Sequence, residues 1–183
     1  VIVTSDDAEI LDLVCPSPIV MLDKRPSFLA TDESKVIDTV SYYFDKFRSD
    51  DFEQIWLCLP TCPLRSIDDL DAGIKILNKN IDGVVSVTPY DFPPTLALGI
   101  DQNNILTGFG DTHPFAEGNS RSQDHVDAFR PNGAFYGMWW QSFDENRNFF
   151  RGKVRPYVMP KLRSLDIDTE EDFLIAELVA KKN

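Results

Sequence analysis

The sequence predicts one α/β domain built on a mainly parallel sheet. Short β-branched runs alternate with amphipathic helical segments through the first 88 residues, an order typical of parallel strands joined by helical crossovers. Residues 55–59 form a continuous apolar run that Pro60 ends, as expected of a strand buried on both faces. The length of 183 residues and the hydrophobic fraction of 43% suit a single domain over residues 1–183 with a real core.

Local signals predict the elements of the first half in order. Val1 begins a β-branched strand that ends at Ser5, and apolar residues at helical spacing follow over 8–14. Residues 31–34 can open a second helix. Ser66 is predicted to cap a third helix, which carries two aspartates in its first turn. Further strands are predicted at residues 18–21, 55–59 and 84–88.

The alternation of strands and helices breaks after residue 88. Residues 89–131 contain five prolines, and a structureless loop of that length is uncommon inside a compact domain. We therefore predict an excursion with short strands, one of them over 96–100, that covers a site or a partner subunit. Regular structure is predicted to resume at residues 133–138. Thr169 begins the final helix, with Asp172 at capping-box spacing.

The charge balance narrows the classes of function. Lys and Arg number 18 against 30 Asp and Glu, and the net charge of -12 repels polyphosphate backbones, which argues against binding of DNA or RNA. A small anionic substrate is still allowed, because a metal ion or a few arginines can invert the field at one site. No apolar run approaches the roughly 20 residues that a membrane-spanning helix needs.

The cysteines and histidines exclude other kinds of chemistry. Three cysteines (Cys15, Cys58 and Cys62) and two histidines argue against a disulfide framework, a zinc site and a histidine-activated nucleophile. We expect buried thiols in a reducing cytoplasm. The chain also has no glycine-rich phosphate loop of either common kind.

Two carboxylates near the C-terminus form the sharpest candidate site. Asp166 and Asp168 lie two residues apart before the last helix, and in an extended segment such residues point to the same side. A close carboxylate pair repels unless a cation lies between its members, and Mg²⁺ typically takes one or two carboxylates plus substrate phosphates. The alternative is that Asp168 only caps the helix while Asp166 is solvated. The spacing leaves both interpretations open.

Several cations and one aromatic pair are weaker candidates. Arg65 follows a strand end and can bind a phosphate or carboxylate in a bidentate manner, although a surface arginine would show the same pattern. Arg121 lies in a polar loop and Arg130 lies close to it in sequence; the two can hold a substrate carboxylate or merely form salt bridges. The pair Phe149 and Phe150 can line a ligand site, but such pairs more often belong to a core or an interface.

Six segments in order resemble the acylneuraminate cytidylyltransferases, the CMP-sialic acid synthetases. They begin Val3-Thr4-Ser5-Asp6, Arg25-Pro26-Ser27-Phe28, Pro60-Thr61-Cys62-Pro63-Leu64-Arg65, Arg121-Ser122-Gln123-Asp124, Phe129-Arg130-Pro131-Asn132-Gly133 and Asp166-Ile167-Asp168-Thr169. The likeness covers essentially the whole chain. It implies a Rossmann-like fold with helices on both faces, a dimerisation excursion over 89–131, and transfer of CMP from CTP to a nine-carbon 2-keto sugar acid with release of pyrophosphate.

The resemblance also implies roles for individual residues. Asp166 and Asp168 match the family's Mg²⁺-binding aspartates. The positions that match nucleotide-contacting residues are Arg25 and Thr61. A nucleotide-contacting serine of the family falls near Val36, and Ser34 is the nearest hydroxyl to that position. The sugar-contacting positions are Arg121, Asn132, Tyr136, Phe149 and Phe150.

Some positions depart from the family pattern. The family's first strand and its basic nucleotide loop precede Val1, so we expect an N-terminal piece absent from this sequence. A sugar-contacting glutamine is Leu59 here, and a lysine of sialic-acid members falls near Thr95. These changes favour a pseudaminic or legionaminic type of acid over N-acetylneuraminic acid. The alternatives are a cytidylyltransferase for another 2-keto sugar acid, or a non-catalytic sugar- or partner-binding domain.

Overall fold

The computed structural model describes residues 1–109, 113–116, 118 and 126–182. The chain divides into two compact units, Val1–Phe52 and Glu53–Asn183, and each is described by itself. Within the described residues, no helix combines the length and the apolar character that crossing a membrane requires. The prediction of one domain over residues 1–183 stays a prediction.

The first unit contains two parallel strands and two helices. Strand β1 (Ile2–Ser5) pairs in parallel with β2 (Met21–Lys24). Helix α1 (Ala8–Asp12) connects them, and the Asp7 side chain caps it by accepting a hydrogen bond from the Glu9 amide. Helix α2 (Val36–Lys46) follows.

The second unit is built on a four-stranded sheet in which three strands share one direction. The order is β3 (Gln54–Leu57), β7 (Phe129–Trp139), β4 (Gly83–Pro89) and β8 (Val154–Val158). Strand β7 alone is antiparallel to its neighbours, and β8 is parallel to β4. The α/β class and the mainly parallel sheet are therefore confirmed. Also present are the hairpin of β5 (Leu98–Ile100) and β6 (Leu106–Gly108) and the helices α3 (Ile67–Ile76), α4 (Trp140–Asn146) and α5 (Glu170–Ala180).

Close packing of α3 against the sheet forms the core of the second unit. Phe135 is fully buried, and its ring centroid lies 5.6 Å from that of Trp56 and 5.5 Å from that of Tyr157. A Cβ atom added at Gly73 of α3 would lie 2.7 Å from the Phe135 ring, so the helix can approach this closely only because that position has no side chain.

Capping signals predicted the starts of α3 and α5 correctly, but not the start of α2. Ser66 and Thr169 cap α3 and α5 as expected. The prediction that residues 31–34 open α2 is wrong, since α2 begins at Val36 with Lys35 as its N-cap. The Ser34 hydroxyl instead closes a turn, accepting from the Thr31 amide and donating to the Phe28 carbonyl.

Candidate active site

The carboxylate segment and the loop after β3 are joined directly. The Ile167 amide donates to the Thr61 carbonyl at 2.9 Å, which fixes Asp166 and Asp168 on either side of that bond. The loop is itself closed by Arg65, whose Nη1 donates to the Leu59 carbonyl at 2.6 Å and the Cys62 carbonyl at 2.8 Å. The sequence placed one segment after a strand and the other before the last helix, and the structure joins them.

Asp166 has an unsatisfied acceptor. Its Oδ1 is buried and has no hydrogen-bond partner among the described residues. A buried carboxylate oxygen without a donor is costly, so this atom is poised for a donor or a cation. Asp168 is exposed, and Thr169, not Asp168, caps α5, so the alternative interpretation of Asp168 as the cap is wrong.

Two groups that can lose a proton, Tyr136 and Cys62, lie close enough to Asp166 to feel its charge. Burial, together with the nearby Asp166 and Cys62, raises the pKa of the Tyr136 hydroxyl. Burial also raises the pKa of the Cys62 thiol to about 11, with Arg65 opposing it and Asp166 adding to it. Both groups therefore stay protonated at neutral pH, and the Tyr136 hydroxyl can donate to a ligand.

An aromatic edge borders Tyr136. The Tyr136 ring centroid lies 5.8 Å from that of Phe149 and 5.9 Å from that of Phe150. Phe149 is buried and packs at 5.0 Å on Phe143, whereas Phe150 is exposed. Of the predicted pair, Phe150 is thus the ring that a ligand can reach, and Phe149 supports it from the core.

Asn132 lies inside a wide bulge of β7. Four residues of β7, 132–135, stand opposite Ser86 alone, because the register shifts between Val85 and Val87. The Asn132 side chain is fully buried: its Oδ1 accepts from Ser86 Oγ at 2.6 Å and its Nδ2 donates to Ser164 Oγ at 2.8 Å. Regular structure resumes earlier than the predicted residue 133, since β7 already begins at Phe129 and runs through the Asn-Gly pair. This arrangement favours a structural role, and the predicted contact with the sugar remains a prediction.

Two of the predicted nucleotide-binding residues lie in the first unit. Arg25 follows β2 and donates from Nη2 to the Thr4 carbonyl at 2.8 Å, while its buried Nε has no hydrogen-bond partner among the described residues. Ser34 lies in the turn before α2. Arg121 lies outside the described residues.

Reasoning from sequence missed the pair Asp69 and Arg163. Arg163 Nη2 donates to Asp69 Oδ1 at 2.7 Å, and Asp69 is fully buried. The two residues stand 94 positions apart, so no local pattern announces the pair. Asp69 was visible only as an acidic residue in the first turn of α3.

The donor set suits a hard cation that the substrate helps to bind. In the part of the chain that the structure describes, no three or more Asp, Glu, His or Cys side chains are arranged so that they could hold a metal ion by themselves. Two carboxylates, one with a buried and unpartnered oxygen, are nevertheless what Mg²⁺ takes from a protein when phosphates supply the other ligands. The predicted Mg²⁺ therefore fits the residues present.

Comparison with known proteins finds relatives that all form CMP-activated sugar acids by name. The chain is 28% identical over 189 residues to the CMP-N,N'-diacetyllegionaminic acid synthase of Legionella pneumophila, covering all of the chain and 78% of the relative. It is 28% identical to the N-acylneuraminate cytidylyltransferase of Escherichia coli (86% of the chain, 36% of the relative). It is 25% identical to the pseudaminic acid cytidylyltransferase of Campylobacter jejuni (100% and 78%). No protein-family model matches.

A solved structure supports the fold. The 4-diphosphocytidyl-2C-methyl-D-erythritol synthase of Anaerococcus prevotii superposes with a TM-score of 0.56 at 13% identity, covering 94% of this chain and 74% of that one. The relatives named above share one enzyme class, although their sugar acids differ. The chain is thus a sequence relative of the acylneuraminate cytidylyltransferases, and the resemblance that its motifs predicted is confirmed.

Proposed function

We propose that this protein transfers CMP from CTP to a nine-carbon 2-keto sugar acid and releases pyrophosphate. The observation that carries the proposal is the buried, unpartnered Asp166 Oδ1 beside Tyr136, in a chain whose relatives are cytidylyltransferases. In this reaction the anomeric hydroxyl of the sugar attacks the α-phosphorus. A new P–O bond forms, the bond to pyrophosphate breaks, and the hydroxyl proton is lost.

Asp166 and Asp168 would hold Mg²⁺, which when bound neutralises the charge of the triphosphate. Asp166 has the free acceptor for this purpose, and the exposed Asp168 is open to solvent and ligand. The bond between Ile167 and the Thr61 carbonyl keeps the pair beside the loop that Arg65 closes. Arg65 thus orders the loop through its Nη1.

The remaining residues divide between the two substrates. We assign the sugar acid to the side of Tyr136 and Phe150, where a protonated hydroxyl adjoins an exposed ring. Arg121 is retained from the resemblance as the residue for its carboxylate. Arg25, Thr61 and Ser34 are retained as nucleotide contacts, and the free cysteines suit the cytoplasm as the proposed location.

An assay of pyrophosphate release tests the proposal. The natural gene product is incubated with CTP, Mg²⁺ and, in separate reactions, legionaminic, pseudaminic or N-acetylneuraminic acid, with the eight-carbon 2-keto acid of lipopolysaccharide cores as the matched control. We expect a CMP-sugar and pyrophosphate with one of the nine-carbon acids and at most slow turnover of the control acid. Release with the control acid alone would reassign the substrate. If no acid gave pyrophosphate release, the proposal would be contradicted and the alternative of a non-catalytic binding domain would be favoured.

We also propose that the hairpin of β5 and β6 forms part of a dimer interface. Ile100 and Leu106 pair across the hairpin, and with the following Phe109 they are between 60% and 76% exposed; neighbouring exposed apolar side chains of this kind suit a protein–protein interface. Leu106→Asp is therefore expected to convert a dimer into a monomer in sedimentation velocity runs. Leu13→Asp, at a leucine outside the hairpin that is even more exposed (82% against 60% for Leu106), is the control and should leave the dimer intact. A wild-type monomer at every concentration would contradict the proposal.

A further inference from the structure

The segment that leads to Asp166 is held by side chains from outside it. After β8, residues 160–164 form a single 3-10 turn over Lys161–Arg163, with the Ser164 amide donating to the Lys161 carbonyl. Such a short turn has little stability of its own. The position of the Asp166 carboxylate therefore depends on what anchors this turn.

The strongest of these anchors is a buried carboxylate. Asp69 Oδ1 accepts from Arg163 Nη2 at 2.7 Å and from the Tyr157 hydroxyl at 2.9 Å, and its Oδ2 accepts from the Ser66 amide and hydroxyl. Although burial alone would raise it, these hydrogen bonds hold the pKa of Asp69 below its ordinary value. Asp69 is thus a fixed negative charge at the base of α3.

Two uncharged hydrogen bonds also hold the same turn. The Cys62 thiol donates to the Arg163 carbonyl at 3.5 Å, and Asn132 Nδ2 reaches Ser164 Oγ. Lys161 of the turn also forms an ion pair with Asp91, but the Asp91 side chain is 87% exposed, whereas that of Asp69 is fully buried. Solvent therefore screens the pair of Asp91 and Lys161 more than that of Asp69 and Arg163, and charge-assisted hydrogen bonds are the stronger ones when they are little screened.

We infer that Asp69 and Arg163 form a positioning pair that sets the place of the Asp166 carboxylate. This inference rests on the proposed function, in which Asp166 serves as a metal-binding group. Arg163 lies three residues before Asp166 and acts through the backbone between them. Neither member of the pair needs to touch a substrate.

Tyr157 provides a control within the same cluster. Its hydroxyl bonds the same Asp69 oxygen, but Tyr157 belongs to β8 and lies outside the turn. Tyr157→Phe therefore removes a hydrogen bond from Asp69 without releasing Arg163. A purely structural role for the cluster predicts similar effects from Tyr157→Phe and Arg163→Gln, whereas a positioning role predicts different ones.

The experiment measures Mn²⁺ binding by electron paramagnetic resonance, together with hydrogen exchange of the Ile167 amide. Arg163→Gln is expected to weaken Mn²⁺ binding about tenfold, as outer partners of metal ligands typically do, and to speed exchange at Ile167. Tyr157→Phe should change neither by more than about twofold. Arg163→Lys should bind Mn²⁺ more tightly than Arg163→Gln does. Arg163 uses only Nη2 to bond Asp69, and a lysine ammonium can replace that single charged hydrogen bond. Asp69→Asn replaces Arg163→Gln if the latter does not fold.

Equal effects of Arg163→Gln and Tyr157→Phe, or none from either, would overturn the inference. Failure of the proposed function looks different: the wild-type protein would then bind no Mn²⁺ and release no pyrophosphate. In that event the exchange rate at Ile167 alone decides whether the pair orders the segment, because it needs neither metal nor substrate.

Discussion

Asp166→Asn is expected to lower the rate of pyrophosphate release from CTP by about 100-fold or more, the usual cost of losing a preorganised charge at a reacting phosphate. The replacement keeps the size of the side chain but turns a buried, unpartnered acceptor into a neutral group. Asp168→Asn should lower the rate of pyrophosphate release by a factor of the same order. Circular dichroism should show both variants folded.

Glu171→Gln is the matched control for these two variants. Glu171 is an exposed acidic residue in the first turn of α5, so its loss removes the same charge close by in sequence. The Glu171→Gln variant should release pyrophosphate at nearly the wild-type rate. If Asp166→Asn kept the wild-type rate, or if Glu171→Gln fell equally far, the aspartate pair would have no place in the mechanism.

Asn132→Ala is expected to destabilise the fold by about 3 kcal/mol. The substitution leaves Ser86 and Ser164 without their shared partner in a fully buried place, and it removes the acceptor for the Ala134 amide. Urea denaturation measures the change. Asn146→Ala, at an exposed asparagine of α4, should change the free energy of unfolding by less than about 0.5 kcal/mol.

The same variant separates the two roles considered for Asn132. A structural role predicts lost stability with little change in the KM for the sugar acid in the protein that remains folded. Unchanged stability with a strongly raised KM would contradict the buried network and restore the contact with the sugar that the family resemblance implies.

Features set by neighbouring residues were predictable from sequence. The caps at Ser66 and Thr169 were found because a hydroxyl and an acidic residue three positions later form a local pattern. The start of α2 was misplaced by the same reasoning, since Ser34 offered a hydroxyl that the fold uses to close a turn. Local chemistry identifies candidates for caps but does not choose among competing hydrogen bonds.

Features set by distant residues were not predictable from the pattern. The apolar run within β7 is compatible with either strand direction, so nothing local announced that β7 is antiparallel or that Asn132 is enclosed by a bulge. The pair Asp69 and Arg163 depends on tertiary contact alone. The spacing of Asp166 and Asp168 pointed to the site, but only the structure showed that Asp166 has a buried oxygen while Asp168 is exposed.

The most direct measurement is anomalous diffraction from crystals of the protein grown with CTP and Mn²⁺. The account predicts an anomalous peak beside Asp166 Oδ1, between that oxygen and the phosphates of the nucleotide. A structure with CTP bound and its Mn²⁺ elsewhere, and with Asp166 turned toward solvent, would contradict it.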